Sequence, residues 1–163
     1  MDHAEGTTPA TWRRTPLTMY TAVSDLPELD WAWVEQQLSD ETLYWVAAAT
    51  NGHPHPRPVW GVWANDVLHL SIGTPSVRRA PNGTAVTVHL TSAIDVVIVE
   101  GRIAGQSADP ALVAAYDAKY DYAYDADTYG PFHTIEPAVV IAWRSAGFAG
   151  KDGFREAGRW ERA

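Results

Sequence analysis

Six side chains able to hold an anion fall within one stretch, PRPVWGVWANDVLHLSIGTPSVRR at residues 56–79: Arg57, Ser71, Thr74, Ser76, Arg78 and Arg79. A guanidinium fork binds phosphate through two parallel hydrogen bonds, and nearby hydroxyls add neutral donors. The strand that leads into them, Arg57 to Trp63, is apolar through Val59, Trp60, Val62 and Trp63. Ring-sized apolar surface beside a cluster of anion donors suits a ligand with a flat ring and an anionic tail. Read plainly, the same stretch is a buried hairpin followed by two solvated arginines.

Other candidate chemistry is thinner. His53 and His55 share a strand face in NGHPHPR, but a metal needs a third protein ligand and no partner accompanies them. His69 and His89 alternate with apolar neighbours and read as hydrogen-bonded barrel residues, while His133 precedes a strand and is able to face a cleft. No G-x-S-x-G, phosphate-binding loop or G-x-G-x-x-G occurs, which removes the commonest hydrolase, nucleotidase and dinucleotide-binding readings. The acidic run Asp117, Asp121, Asp125, Asp127 lacks the glycine and final glutamate of a calcium loop and reads as a solvated face between packing tyrosines.

A chain of 163 residues without cysteine has the length of one domain and must fold without disulfides. A formal charge of -8 argues against nucleic acid as a partner. The first 25 residues lack a signal-peptide core and no stretch is a membrane span, so a soluble cytoplasmic protein is expected. Eight tryptophans and seven tyrosines are many to hide, which favours a homodimer that buries aromatic residues.

These groups need elements to position them. Residues 1–24 read as a flexible arm, from which Trp12 or Tyr20 could dock on a partner surface, and residues 25–163 read as one domain. Asp25-Leu26-Pro27 starts a helix over Leu29–Leu38. Strands follow at Glu41–Thr50, Arg57–Trp63, Val67–Ile72, Ala85–Leu90 and Ile94–Ile103, with tight turns at Asn51-Gly52 and Asn65-Asp66. Prolines 54, 56 and 58 leave one side of the Arg57 strand unpaired near its start. Asp109-Pro110 begins a second helix to about Tyr120, the segment from Asp121 to Gly130 has no clear period, and strands return around Val139–Trp143 and Gly158–Glu161. Such a list gives a mainly β fold, an antiparallel barrel with appended helices.

Four ordered segments, YWVAAATNGHPHPRPVWGVW, LHLSIGTPSVRR, AVTVHLTSAIDVVIVEG and AVVIAWR, resemble the split β-barrel flavoproteins related to pyridoxamine 5'-phosphate oxidase, especially their deazaflavin-using branch. The resemblance covers roughly residues 28–163. It implies a homodimer with cofactor clefts between the subunits, and an oxidoreductase that passes a hydride from FMN or coenzyme F420 to a small organic substrate, F420 being the closer match. It implies that Arg57, Pro58, Val59, Trp60 and Gly61 run along the cofactor ring. Ser71, Ile72, Thr74, Ser76, Arg78 and Arg79 would hold the cofactor and its phosphate. Where the family carries an arginine after the second serine this chain has Val77, so one phosphate ligand is lost unless Arg79 replaces it, and Val77→Arg is expected to tighten the grip. No catalytic acid or base is implied. The weakened phosphate segment also suits a non-catalytic binder of a flavin, tetrapyrrole or fatty-acyl ligand, or a barrel that has lost its ligand and serves as a dimeric interaction module.

Overall fold

The computed structural model describes residues 8–19, 22–50, 52–147 and 153–163. Trp12–Thr15 forms a strand, β1, inside the stretch expected to be a flexible arm. The cause is Trp12: its indole is 4% exposed and its ring centre lies 4.7 Å from that of Trp31. Burying so large an apolar ring outweighs the strand-breaking effect of the prolines on either side. Trp12 therefore docks in this chain's own core, while Tyr20 lies outside the described residues. Thr18–Met19 (β2) and Ala22–Val23 (β3) pair as a small antiparallel ribbon.

The first helix, α1, is Trp31–Asp40, two residues later than the sequence suggests. Asp30 caps it by accepting a hydrogen bond from the Ala32 N–H at 3.0 Å. Asp25-Leu26-Pro27 does not start it because the Leu29 N–H donates to Ala157 O and the Ala157 N–H to Pro27 O, both at 3.1 Å. Those bonds hold the segment extended. Trp31, Val34 and Leu38 then form the buried stripe.

The remaining elements are β4 (Tyr44–Thr50), β5 (His53–Pro54), β6 (Arg57–Ala64), β7 (Val67–Ser71), α2 (Pro75–Arg78), β8 (Ala85–His89), β9 (Val96–Ser107), α3 (Pro110–Tyr120), α4 (Ala126–Tyr129), β10 (Phe132–Ser145) and β11 (Phe154–Arg162). Six of them close an antiparallel barrel in the order β10, β7, β6, β4, β8, β9 and back to β10. β10 makes the barrel a split one: its first residues pair with β7, whereas Val139 onward pairs with β11, which carries β1 on its outer edge. The β6–β7 turn has Asn65 and Asp66 at φ 53 and 60, the left-handed pair a two-residue hairpin requires. Gly101 on β9 faces Pro137 across a register shift, and a Cβ there would lie 2.4 Å from Glu136 O. Leu68, Leu70, Val88, Val99, Ile135 and Val140 are fully or almost fully buried and fill the core. Among the described residues no helix is long and apolar enough to cross a membrane.

Candidate functional site

The site grows from a change of partner along β6. Arg57, Pro58 and Val59 pair only with β4, and Trp60 to Ala64 only with β7. One side of the strand start is thus free of ladder bonds, in keeping with its prolines, and past Val59 the edge toward β4 opens as well. Helix α3 fills that opening. The Tyr120 hydroxyl accepts from the Gly61 N–H at 3.0 Å and shares its proton between the carbonyls of Gly61 and Thr42, each 3.0 Å away. Lys119 Nζ donates to Gly61 O at 3.1 Å and to the Tyr44 hydroxyl at 2.9 Å, and lies over the rings of Tyr44 and Tyr120.

No carboxylate pairs with this ammonium at salt-bridge distance among the described residues. Burial brings its pKa down to about 8, against the opposing pull of Glu41 and Asp40. The unfolded chain, with an ordinary lysine, keeps its proton to higher pH. Stability is therefore expected to rise between about pH 8 and about pH 10. Above that it falls, because burial raises the pKa values of Tyr44 and Tyr116 and unfolding releases their protons. The rise is on the order of 1 kcal/mol, since water screens a half-exposed ammonium. Urea midpoints measured across this range check it, and Lys119→Met should flatten the rise.

Above β6 lies a cavity of about 400 Å³. Its floor is Pro58, Val59 and Trp60 with Ser71 from the next strand; its roof is Tyr116, Tyr122, Tyr124 and Tyr129 from α3, α4 and the loop between them, with Leu43 at one side. Register explains the floor, because Trp60 stands directly opposite Ser71 and Val62 opposite His69, all on the face away from Leu68 and Leu70. The rings meet in a cage: Trp60 stacks on Tyr120 at 4.8 Å and 6°, stands at 82° to Tyr122, and Tyr116 meets Tyr124 at 61°. Trp60, Tyr122 and Tyr129 are the exposed large apolar side chains of the described residues, at 43%, 37% and 47%, and all three are at this cavity. Barrel and cap hide the other described aromatic rings at least in part without a second subunit. The phenols are tied to one another and to the backbone: Tyr124 OH donates to Gly130 O and Tyr122 OH to Tyr129 OH, both at 2.8 Å. Burial keeps Tyr116 well above the usual phenol range, so it stays a neutral donor.

Of the residues singled out from the sequence, Pro58, Val59, Trp60 and Ser71 line the cavity. Gly61 gives its backbone to α3, and Arg57 is exposed with Nη1 donating to Pro56 O at 2.8 Å. Ile72 is a core residue, 3% exposed. Thr74 precedes α2 and its hydroxyl makes no capping bond. Ser76 is half-buried and Arg78 and Arg79 are exposed, and no hydrogen bond among the described residues holds their side chains. The Arg78 guanidinium lies against Gly130, where a Cβ would sit 2.7 Å from Nη2. Because Tyr124 bonds the same glycine's carbonyl, the cationic segment adjoins the cavity wall. Val77 is different: it is 0% exposed in the core. The expectation that Val77→Arg would restore a phosphate ligand is therefore overturned, since position 77 points into the barrel and not toward the arginines.

The tyrosine roof escaped sequence reasoning, although five of the chain's seven tyrosines fall between 116 and 129. The acidic run proves to be its frame. Asp117 accepts from the Tyr124 N–H at 2.8 Å and Asp125 caps α4. His133 faces the barrel interior opposite Leu70 and not a cleft, and His69 lies under the cap near Thr134, its pKa lowered by burial. His53 is exposed, and no group of His, Asp or Glu among the described residues is placed to hold a metal.

No protein-family model matches the sequence, and no curated protein matches it. Solved structures do. An F420 reductase matches with a TM-score of 0.52 at 19% identity, covering 65% of this chain and 94% of its own. A Bacteroides thetaiotaomicron protein ascribed to 5-nitroimidazole antibiotic resistance matches with a TM-score of 0.53 at 12% identity, covering 91% and 88%. The FAD and heme binding protein of Mycobacterium smegmatis matches with a TM-score of 0.49 at 18% identity, covering 82% and 71%. At such identities the likeness is one of architecture, and the chain has the split β-barrel fold.

Proposed function

We propose that the protein binds a flavin or deazaflavin and acts as an oxidoreductase on a small organic substrate. The observation that carries this reading is the aromatic cavity on β6 with the exposed Arg78 guanidinium against Gly130 at its wall, on the same short segment as Thr74, Ser76 and Arg79. The residues fit such a group: Pro58, Val59 and Trp60 offer an apolar floor, and the exposed Arg78 guanidinium lies one glycine away from its wall. The name of one structural neighbour, an F420 reductase, favours the deazaflavin over FMN. When bound, the cofactor supplies the hydride chemistry; the protein orients it and excludes water. Trp60 and the tyrosines enclose the ring, Ser71 adds a hydroxyl, and the arginine segment holds the phosphate. The cavity lining has no carboxylate or imidazole, so no side chain is assigned as acid or base.

Titration with FMN and with F420 tests the reading. Saturable quenching of tryptophan fluorescence is expected at micromolar concentration, with Trp60→Phe losing most of the signal. No change with either cofactor up to tens of micromolar rules the site out. Binding without any turnover of reduced cofactor would instead fit a non-catalytic flavin or tetrapyrrole carrier.

A homodimer with its clefts at the interface belongs to the same proposal. The concave strip over β4, β8, β9 and β10, about 470 Å³ and lined by Ala47, Val86, Ala138 and Val139 together with the charged Glu100 and Arg102, offers a second copy a face of mixed character. Light scattering at micromolar concentration should give twice the chain mass of 17.9 kDa. The monomer mass would remove the shared cleft.

A further inference from the structure

His133 sits in the barrel wall, 2% exposed, at the point where α2 meets β10. Its Nε2 is 3.1 Å from the carbonyl oxygen of Arg78 and 3.1 Å from the side-chain nitrogen of Gln106 on β9. One ring nitrogen thus faces an acceptor and a donor, and it serves one at a time. Nδ1 is buried and has no hydrogen-bond partner among the described residues. The neutral ring with its proton on Nε2 donates to Arg78 O and leaves Nδ1 as a lone pair. That bond reaches the last residue of α2. The segment's other hydrogen bonds are local, from the Val77 and Arg78 N–H groups to Thr74 O, from Arg79 N–H to Pro75 O and from Ala80 N–H to Val77 O, and Val77 is buried in the core.

We propose that His133 is a positioning residue for the anion-binding segment: neutral, it ties α2 to the barrel through the Arg78 carbonyl, and protonated it releases the segment. The proposal rests on the reading of Ser76, Arg78 and Arg79 as a phosphate cradle. A second proton must enter at Nδ1, where a buried N–H meets no acceptor. Apart from the Arg78 carbonyl, the groups around the ring offer the added charge no relief. Arg78 on α2 is a cation, Gln106 on β9 is neutral, Leu70 on β7 is apolar, and the titratable His69 lies on the opposite face of the wall beside Thr134. The imidazolium gains water only by leaving its place, and the tie goes with it. Burial holds the His133 pKa below the ordinary imidazole value; the Arg78 charge acts in the same direction and the Arg78 hydrogen bond against it. The tie is therefore whole at neutral pH and lost as pH falls through the depressed value.

The test compares FMN with riboflavin, which lacks the phosphate, on the wild type and on His133→Gln. A glutamine amide can donate to Arg78 O but does not titrate. Between about pH 8 and about pH 5 the wild-type dissociation constant for FMN should rise about tenfold more than that of His133→Gln. The phosphate titrates identically with both proteins, and riboflavin should change less than about twofold with either. Hydrogen exchange reads the tie without any ligand: protection of the Arg78 to Ala80 amides should fall in the wild type over that range and stay constant in His133→Gln. Parallel pH dependence of the two proteins in exchange overturns the proposal. A difference in exchange with no preference for FMN over riboflavin at about pH 8 supports the tie and overturns the phosphate cradle.

Discussion

Val77→Arg is expected to destabilise the barrel strongly and to leave the grip on an anion no better. Val77 is 0% exposed within the core, flanked in sequence by exposed or half-buried Ser76 and Arg78. A guanidinium forced into that place loses its water and finds no carboxylate. Leaving a buried charge uncompensated costs about 3–5 kcal/mol, a large part of the 5–15 kcal/mol that typically holds a domain together. Denaturant midpoints followed by circular dichroism measure the loss. Val77→Ala, which removes volume without adding charge, should cost only about 1–3 kcal/mol. If Val77→Arg instead folded with an unchanged midpoint and bound FMN more tightly, position 77 would belong to the ligand site after all.

Arg78→Ala should have the opposite profile, with little effect on the fold and a large one on ligand. The side chain is exposed, with no hydrogen-bond partner among the described residues, and it rests on Gly130 at the edge of the tyrosine roof. If it grips a phosphate, the substitution should weaken FMN about tenfold to a hundredfold and riboflavin hardly at all. The difference should shrink with added salt. Were Arg78 only a solvated surface charge, both ligands would change by less than about twofold. Equal weakening of FMN and riboflavin would place the phosphate elsewhere.

The parts of the fold legible in the sequence are those in which local chemistry decides. Asn65 and Asp66 accept the left-handed backbone that the β6–β7 hairpin demands, so that turn and its flanking strands read directly. Asp109 and Pro110 mark the start of α3 by the same kind of local rule. Trp12 is unlike them, a lone aromatic among threonines and prolines whose strand is held by packing on Trp31 and by pairing with the distant β11. Long-range packing of that kind leaves no periodic signal. The tyrosine roof was hidden for a further reason. Asp121, at φ 48, breaks the helical period between Tyr120 and Tyr122, so the four tyrosines that line one cavity fall on no single helical or strand repeat. Val77 shows the limit of matching residues to a pattern, since only the direction of its side chain separates a missing ligand from a core residue.

The pairing of β1 with β11 also constrains how the molecule is made. Trp12 lies opposite Arg162, and tryptophans 12, 31 and 160, one pair tilted and the other edge-on, draw one contact network from distant parts of the sequence. A ribosome releases the chain from its amino end, so Trp12 and Trp31 must remain unshielded while more than a hundred residues are still to be synthesised. Loop-closure entropy for so distant a pair is paid late and all at once. The tryptophan network can therefore take shape only after translation has passed Trp160, behind the six barrel strands, which end at Ser145. Until then the nascent chain presents sticky indole surface to whatever chaperone stands at the tunnel exit.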